Sequence, residues 1–176
     1  RSQQYGFEVS SIQTILEDGE RISSSALRAA LANGDMKHAE KLLGRPYGIS
    51  GHVIHGQKLG RTLGFPTLNL AVANHLHHRK PATTGIFTAQ VLGLAEKPLP
   101  AVASLGVRPT VEDQGRVLLE THIFDYQQDV YGKIITVELL EKIRDEAKYD
   151  DLDTLTNAIA ADAAHARNYF QKKAYV

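Results

Sequence analysis

The sequence predicts a mainly β protein, an antiparallel barrel or sandwich that is followed by one long helix. From Arg45 onward, six short alternating or β-branched runs are separated by glycine, proline and charged turns. No helical pattern falls between these runs, which argues against a parallel sheet built from βαβ units. Helical periodicity returns only near the carboxyl end of the chain.

The amino-terminal part carries two strand signals and two helix signals. Short apolar pieces in the first 22 residues, such as Phe7-Glu8-Val9 and Ile12 to Leu16, are broken by Gly19 and predict two strands with a turn. One of the serines Ser23, Ser24 and Ser25 is the predicted N-cap of a helix that ends at Gly34. Asp35 then caps a second helix that ends near Gly44. We therefore expect a small α/β segment before the β-rich part.

Six strands are predicted in the central part of the chain. Their approximate bounds are Tyr47 to His55, Thr67 to Ala71, Ile86 to Leu92, Leu99 to Leu105, Val117 to Phe124 and Ile134 to Leu140. Asp151 is the predicted cap of the final helix. Its apolar residues at spacings of three and four are Leu152, Leu155, Ile159, Ala163, Ala166 and Phe170. This face is expected to pack on the strands as structural cover.

Composition excludes several classes of function. Twenty basic and twenty acidic residues leave no net charge, so nothing global attracts nucleic acid or an anionic membrane. There is no cysteine, which excludes disulfides and thiolate ligands. No apolar run approaches the roughly 20 residues of a membrane-spanning helix. We expect a soluble cytoplasmic protein, and the first residue, Arg1, indicates a fragment of a longer chain.

The most informative stretch is rich in glycine and cations. Gly56, Gly60 and Gly64 recur at four-residue spacing, which does not suit a helix interior or an unbroken strand. Lys58 and Arg61 add positive charge, so a loop that closes over phosphate is one interpretation. The other interpretation is a turn that binds no ligand. The stretch matches neither the Walker pattern nor the dinucleotide fingerprint.

Three further residues fit phosphoryl transfer. Thr67 and Asn69, after Pro66, project from one face if they lie on a strand, where a hydroxyl and an amide can hold hydrated magnesium and its phosphate. Turn or capping groups are the alternative. Alternation also puts Glu120 and His122 on one strand face. Glu120 is either an exposed strand carboxylate or the base that takes a hydroxyl proton.

Two other clusters are weaker candidates. His75, His77 and His78 lie in a polar loop, and no carboxylate completes a metal-ligand set with them. Residues 144–149 form a charge run after the last strand. This run is either a solvated loop or a lid in which Arg144 and Tyr149 face an aromatic ligand.

An ordered set of motifs spans about residues 45 to 170. The motifs are Leu43-Gly44-Arg45-Pro46-Tyr47, Gly60-Arg61-x-x-Gly64-Phe65-Pro66-Thr67-x-Asn69-Leu70, Glu120-x-His122-Ile123-Phe124-Asp125, Tyr131-Gly132 and Ile143-Arg144-Asp145-Glu146. Together they closely resemble the riboflavin kinase module of bacterial bifunctional riboflavin kinase/FMN adenylyltransferases. Upstream, the run from Ile22 to Arg28 resembles a motif near the end of that family's adenylyltransferase domain.

The resemblance implies a six-stranded Greek-key barrel with a carboxyl-terminal helix. Residues 45–176 would be the kinase domain, and residues 1–44 the end of the adenylyltransferase domain of the same parent chain. The implied reaction is Mg²⁺-dependent transfer of the ATP γ-phosphate to the ribityl hydroxyl of riboflavin, giving FMN and ADP. The parent protein would also make FAD, but this fragment would not, because the amino-terminal nucleotide-binding half of that domain is absent from the sequence.

The resemblance also implies roles for individual residues. Thr67 and Asn69 would bind the metal and phosphates, and Glu120 would be the base. Arg144 would belong to the flavin-binding loop. The other implied binding residues are Gly56, Lys58, Gly60, Arg61, Gly64, Pro66, Tyr131 and Glu146, of which the Gly56 to Gly64 loop would cover the ATP phosphates. Leu68, Lys142 and Ile143 depart from the family pattern, the last two in the flavin loop. A module that binds flavin or nucleotide without transfer, or a purely structural barrel, remains an alternative.

Overall fold

A computed structural model describes residues 2–6, 15–56, 59–71, 81–107 and 117–174 of the chain. Some sequence predictions lie outside these described residues. They are the strand piece at residues 7–9, the start of the piece at residues 12–16, the cation Lys58 and the cluster of His75, His77 and His78.

The amino-terminal segment contains a short hairpin. Strands β1 (Leu16–Glu17) and β2 (Glu20–Arg21) pair antiparallel. Asp18 and Gly19 have φ of 51° and 81°, the left-handed conformations that a tight two-residue hairpin turn requires. The predicted turn at Gly19 is therefore confirmed. The one-turn helix α1 (Ser2–Tyr5) was not predicted.

Two helices follow, and both begin at a predicted kind of cap; of the three candidate serines, Ser23 is the capping residue. The Ser23 hydroxyl accepts a hydrogen bond from the Ala26 N–H at the start of α2 (Ser24–Ala32). Asp35 accepts one from the His38 N–H at the start of α3 (Met36–Leu43). Gly44 ends α3 with φ of 68°. Apolar residues of both helices are buried in one cluster with the barrel interior, so this segment packs directly on the barrel.

Six strands close into an antiparallel barrel. They are β3 (Tyr47–Ile54), β4 (Leu68–Ala71), β5 (Gly85–Leu92), β6 (Leu99–Val107), β7 (Val117–Ile123) and β8 (Ile134–Arg144), in the spatial order β3-β4-β7-β6-β5-β8. The neighbours β8-β5-β6-β7 have the 4-1-2-3 order of a Greek key. The predicted Greek-key barrel is therefore confirmed.

Two strands and one helix differ from the prediction. β6 continues beyond Leu105 because Gly106 and Val107 pair with β7. β8 continues beyond Leu140 because it stays paired with β5 as far as Arg144 through two register shifts. The glycine stretch, expected to be a loop, contains the one-turn helix α4 (Leu59–Thr62). Glycine at position 60 is compatible with this single turn because the helix is too short to depend on intrinsic propensity.

The last helix, α5 (Leu152–Ala174), packs on β5 and β6. Asp151 caps it by accepting a 2.7 Å hydrogen bond from the Thr154 N–H, as predicted. Ala163 and Ala166 are buried, but Leu152 is 58% exposed, so its place on the packed face was wrong. The reason is that residues 151–154, the first turn, all lie in solvent. In the described ranges, no helix combines the length and apolarity needed to cross a membrane.

Candidate functional site

Strand register brings three of the predicted site residues, together with Ser104, into one row on the outer surface of the barrel. Asn69 of β4 pairs with Glu120 of β7, which also pairs with Ser104 of β6. Ser104 pairs with Ile86 of β5, which pairs with Arg144 of β8. Paired residues on neighbouring strands point to the same side of a sheet. A hydroxyl, an amide, a carboxylate and a guanidinium therefore lie along one line across five strands.

A cavity of about 250 Å³ lies over this row, between the barrel, α5 and the segment after β8. We call it the helix-side cavity. It brings together six of the predicted site residues, which are Gly60, Thr67, Asn69, Glu120, Arg144 and Glu146. Its apolar wall is formed by Leu63, Phe65, Ile86, Val102, Leu155 and Ile159. The cavity thus has polar and charged side chains at one side and an apolar wall that suits a flat apolar ligand.

A second cavity, of about 570 Å³, lies at one end of the barrel, and we call it the barrel-end cavity. Three more predicted residues line it, which are Arg61, Pro66 and Tyr131. Thr67 lines both cavities, so they meet at this residue. The Tyr131 ring lies against His55, with 3.7 Å between the ring centroids. Gly56 and Gly64 line neither cavity.

Each described glycine of the predicted loop serves a definable steric purpose. A Cβ at Gly56 would overlap the side-chain amide of Asn69, so glycine leaves room for that buried amide. A Cβ at Gly60 would overlap the Phe65 carbonyl oxygen, and the Phe65 N–H donates to the Gly60 carbonyl at 2.8 Å. Gly64 has φ of 84°, which favours glycine. These glycines shape the chain around Thr67 and Asn69.

His122 fixes the segment that enters β4. Its Nδ1 lies 2.8 Å from the Pro66 carbonyl oxygen, and because a carbonyl can only accept, Nδ1 carries the donated proton. The ring also packs edge-on between Phe65 and Phe124, each with a centroid distance of 5.6 Å. The position of Thr67, the next residue after Pro66, therefore depends on His122.

Arg144 is held by α5. Its Nε and Nη2 donate to the two carboxylate oxygens of Asp162 at 2.9 and 2.6 Å, and its Nη1 donates to the Asp145 carbonyl at 3.0 Å. The hydrogen bonds with Asp162 raise the pKa of Arg144 above its ordinary value. The guanidinium also lies 5.9 Å from the centroid of the Tyr149 ring. In this structure Arg144 joins β8 to α5 at the wall of the helix-side cavity.

Glu146 lies between the helix-side cavity and a small adjoining one. A Cβ at Gly106 would overlap the Glu146 carboxylate, so glycine at that position lets the acid approach β6. Burial raises the pKa of Glu146. Glu120 and Ser104 line both of the same two cavities. The row therefore has two carboxylates near it, Glu120 and Glu146.

The described residues contain no cluster of three or more histidine, aspartate or glutamate side chains that would hold a metal ion by themselves. Thr67 and Asn69 offer a hydroxyl and an amide oxygen, which are neutral. Mg²⁺ prefers oxygen ligands and usually combines one or two protein groups with water and substrate phosphates. The donor set fits magnesium that arrives with a nucleotide.

Several residues of the site were not predicted from the sequence. They are Phe65, Ser104, His122, Leu155, Ile159 and Asp162. One signal for Asp162 was present, because it follows Ile159 by three positions and so places an acid beside the apolar stripe of α5. An acid on such a face needs a partner, and Arg144 is that partner.

Comparison with known proteins identifies the same family by a family model and by similar sequences. A family model described as "Flavokinase: Riboflavin kinase" matches residues 43–170. The bifunctional riboflavin kinase/FMN adenylyltransferase of Escherichia coli K12 is 48% identical over 167 residues, which are 95% of this chain and 52% of that protein. The chain thus spans about half the length of the curated relatives that it matches.

Two solved structures share the architecture. One, described as a macrolide-efflux protein from Streptococcus pneumoniae, has a TM-score of 0.76 and 34% identity, covering 89% of this chain and 50% of that one. A riboflavin kinase from Trypanosoma brucei has a TM-score of 0.51 and 23% identity, covering 72% of this chain and 81% of that one. At that identity the second likeness concerns the fold alone.

Proposed function

This chain belongs to the riboflavin kinase family, and from that premise we propose that it transfers the γ-phosphoryl group of ATP to the ribityl 5′-hydroxyl of riboflavin. The observation that carries the proposal is the cross-strand pairing of Asn69 with Glu120 beside Thr67, at the point where two cavities meet. One carboxylate for a base, two neutral oxygen groups for a metal ion and two adjoining spaces for the substrates suit phosphoryl transfer between a nucleotide and an alcohol.

The helix-side cavity would take the flavin. Its apolar wall, with Ile86, Val102 and Ile159, suits the flat isoalloxazine ring. Arg144, Glu146 and Tyr149 at its edge would supply polar and aromatic contacts. The ribityl chain would then extend toward Glu120, so that its terminal hydroxyl lies near Thr67.

The barrel-end cavity would take the nucleotide. Arg61 supplies a cation, and Pro66 and Tyr131 line the same space. With the phosphates directed toward Thr67, the Gly56 to Gly64 segment would cover them, as the family resemblance implies. Lys58 remains a predicted member of that cover.

Thr67 and Asn69 would hold magnesium together with the nucleotide phosphates. The buried Asn69 amide, for which Gly56 leaves space, is suited to a fixed ligand role. When bound, the ion would neutralise charge that develops on the phosphates.

Glu120 would act as the general base. Its carboxylate would take the proton of the 5′-hydroxyl while that oxygen forms a bond to the γ-phosphorus. The bond between the γ-phosphorus and the β,γ-bridging oxygen would break, and ADP would leave with its electron pair. The products would be FMN and ADP, with the proton on Glu120 before release to water.

The direct test is to incubate the chain with ATP, Mg²⁺ and riboflavin and to separate flavins by chromatography. We expect FMN and ADP in equal amounts. Tight riboflavin binding with no ATP consumption would favour a binding module instead. No binding of flavin or ADP by the folded chain would favour a structural barrel.

We further propose that residues 1–44 are the end of an adenylyltransferase domain of the same parent chain, and that the parent acts in the cytoplasm. The run from Ile22 to Arg28 and the bifunctional names of the relatives support the first statement. The absence of cysteine is compatible with the second. This chain should form no FAD from FMN and ATP, and detection of FAD by chromatography would contradict that expectation.

A further inference from the structure

We propose that Asp162 is a positioning residue for the flavin side of the site, acting through Arg144 on the segment that carries Glu146 and Tyr149. The proposal rests on the kinase function above but concerns a residue of α5 that the sequence assigned to structural cover. Asp162 is 6% exposed and is one of the few buried charged or polar side chains in the described part of the chain.

The first argument is geometric. Asp162 accepts two hydrogen bonds from Arg144, at 2.9 and 2.6 Å, in the bidentate arrangement that fixes both the place and the plane of a guanidinium. Arg144 is the last residue of β8, so its direction sets where the chain goes next. Its third hydrogen bond, to the Asp145 carbonyl at 3.0 Å, ties the start of that next segment to the same guanidinium.

The second argument concerns what this segment does. Glu146 and Tyr149 line the helix-side cavity, as Arg144 and Asp162 do. The Tyr149 ring lies 5.9 Å from the Arg144 guanidinium. Asp162 therefore holds in place an edge of the cavity that has three polar or aromatic side chains from one short segment.

A second, solvent-exposed ion pair on α5 provides a comparison. Arg167 donates to both carboxylate oxygens of Asp125, at 2.9 and 3.1 Å, and so also joins α5 to the barrel. Neither Arg167 nor Asp125 lines the helix-side cavity. Loss of the Arg167–Asp125 pair therefore controls for a lost attachment of α5, while selectivity for riboflavin over ATP separates positioning from a general loss of packing. If Asp162 positions the cavity edge, the two losses differ.

The experiment compares Asp162→Asn with Asp125→Asn in the full chain. Riboflavin Kd is measured from quenching of flavin fluorescence, which needs no turnover, and KM is measured separately for riboflavin and ATP. For D162N we expect about a tenfold rise in riboflavin Kd and KM, with the KM for ATP changed less than about twofold. D125N should leave the riboflavin Kd and the KM values for riboflavin and ATP within about twofold of wild type. Circular dichroism checks that both variants are folded.

A double-mutant cycle tests whether Asp162 acts through Arg144. In an Arg144→Lys background, which loses the bidentate geometry, adding D162N should raise riboflavin Kd by less than about twofold. If D162N does not fold, Asp162→Glu replaces it, because that variant keeps the charge and displaces the carboxylate by one methylene. It should show the same selective rise and the same non-additivity.

Three results would overturn the proposal. They are equal effects of D162N and D125N on riboflavin Kd, an equal rise in KM for both substrates, and full additivity with R144K. Failure of the wild-type chain to make FMN would instead contradict the kinase function, while the binding measurements would still decide the role of Asp162.

Discussion

The two cavities that meet at Thr67 differ in size, in lining and in the side of the barrel from which they arise. The helix-side cavity is the smaller, at about 250 Å³, and combines an apolar wall with Glu120 and Glu146. The barrel-end cavity, at about 570 Å³, is lined by Arg61, Tyr131 and polar residues of the 126–131 segment. The difference gives one fold two chemically distinct spaces that adjoin at Thr67, and the proposed function assigns one substrate to each.

Strand β7 shows how this is achieved. Its outward-facing Glu120 and His122 line the helix-side cavity, whereas its inward-facing Thr121 and Ile123 line the barrel-end cavity. Because side chains alternate along a strand, one run of four residues contributes to both cavities. A one-residue slip of register would exchange these two sets.

The largest expected effect is that of Glu120→Gln. Loss of the base should lower kcat by at least about a hundredfold, because general bases typically contribute that much. Riboflavin Kd should change less than about twofold, since the amide has a similar size. Glu138→Gln is the matched control, because Glu138 is also a half-buried strand carboxylate, paired with Gln90, and lines neither cavity. Equal rates for wild type and E120Q would remove Glu120 from the mechanism.

A smaller and one-sided effect is expected for Ile159→Ala. Removal of three carbons from the apolar wall should raise the KM for riboflavin about tenfold, because lost apolar contact of this size is worth about 1 to 2 kcal/mol. The KM for ATP should stay within about twofold. Leu152→Ala on the same helix, at a residue that is 58% exposed, is the control and should change neither. A matching rise in the KM for ATP would argue against separate cavities.

The converse variant is Arg61→Ala, in the barrel-end cavity. Loss of an exposed cation should raise the KM for ATP about fivefold, which corresponds to about 1 kcal/mol, with no effect on riboflavin. The effect should shrink at high salt because exposed charges are screened. Arg28→Ala, an exposed arginine of α2 outside both cavities, provides the control. An unchanged KM for ATP would mean that Arg61 only braces the loop.

The smallest effect is expected outside both cavities, at Thr88. Its hydroxyl is buried with no hydrogen-bond partner among the described residues. Thr88→Val removes that unsatisfied group at constant shape and should leave the stability unchanged or raise it by up to about 1 kcal/mol. Chemical unfolding measures the change, and both KM values should remain as in wild type. A clear loss of stability would show that the hydroxyl is satisfied.

Local signals in the sequence predicted much of the fold. A serine among Ser23 to Ser25, Asp35 and Asp151 were identified as caps because capping depends on residues within three positions. The six strands were found from alternation and turn residues. The continuation of β8 to Arg144 was not found, because it depends on pairing with β5, which no local pattern reports.

The site was predictable in its parts and not in its assembly. Alternation correctly placed Glu120 and His122 on one face, but only register pairs Glu120 with Asn69. Helical spacing predicted that Ile159 lies on the packed face of α5, but not that a cavity lies opposite. The one-turn helix α4 was missed because glycine at position 60 indicated a loop. In the structure, glycine is required at this position because the Phe65 carbonyl oxygen lies too close for a Cβ.

The most direct test of the two-cavity arrangement is methyl NMR of the chain during separate titrations with riboflavin and with ADP and Mg²⁺. Riboflavin should shift the methyl signals of Val102 and Ile159, whereas ADP should shift those of Val53 and Ile123. Thr67 alone among these should respond to both ligands. If riboflavin and ADP instead shift the same set of methyl groups, the two substrates share one space and the arrangement is wrong.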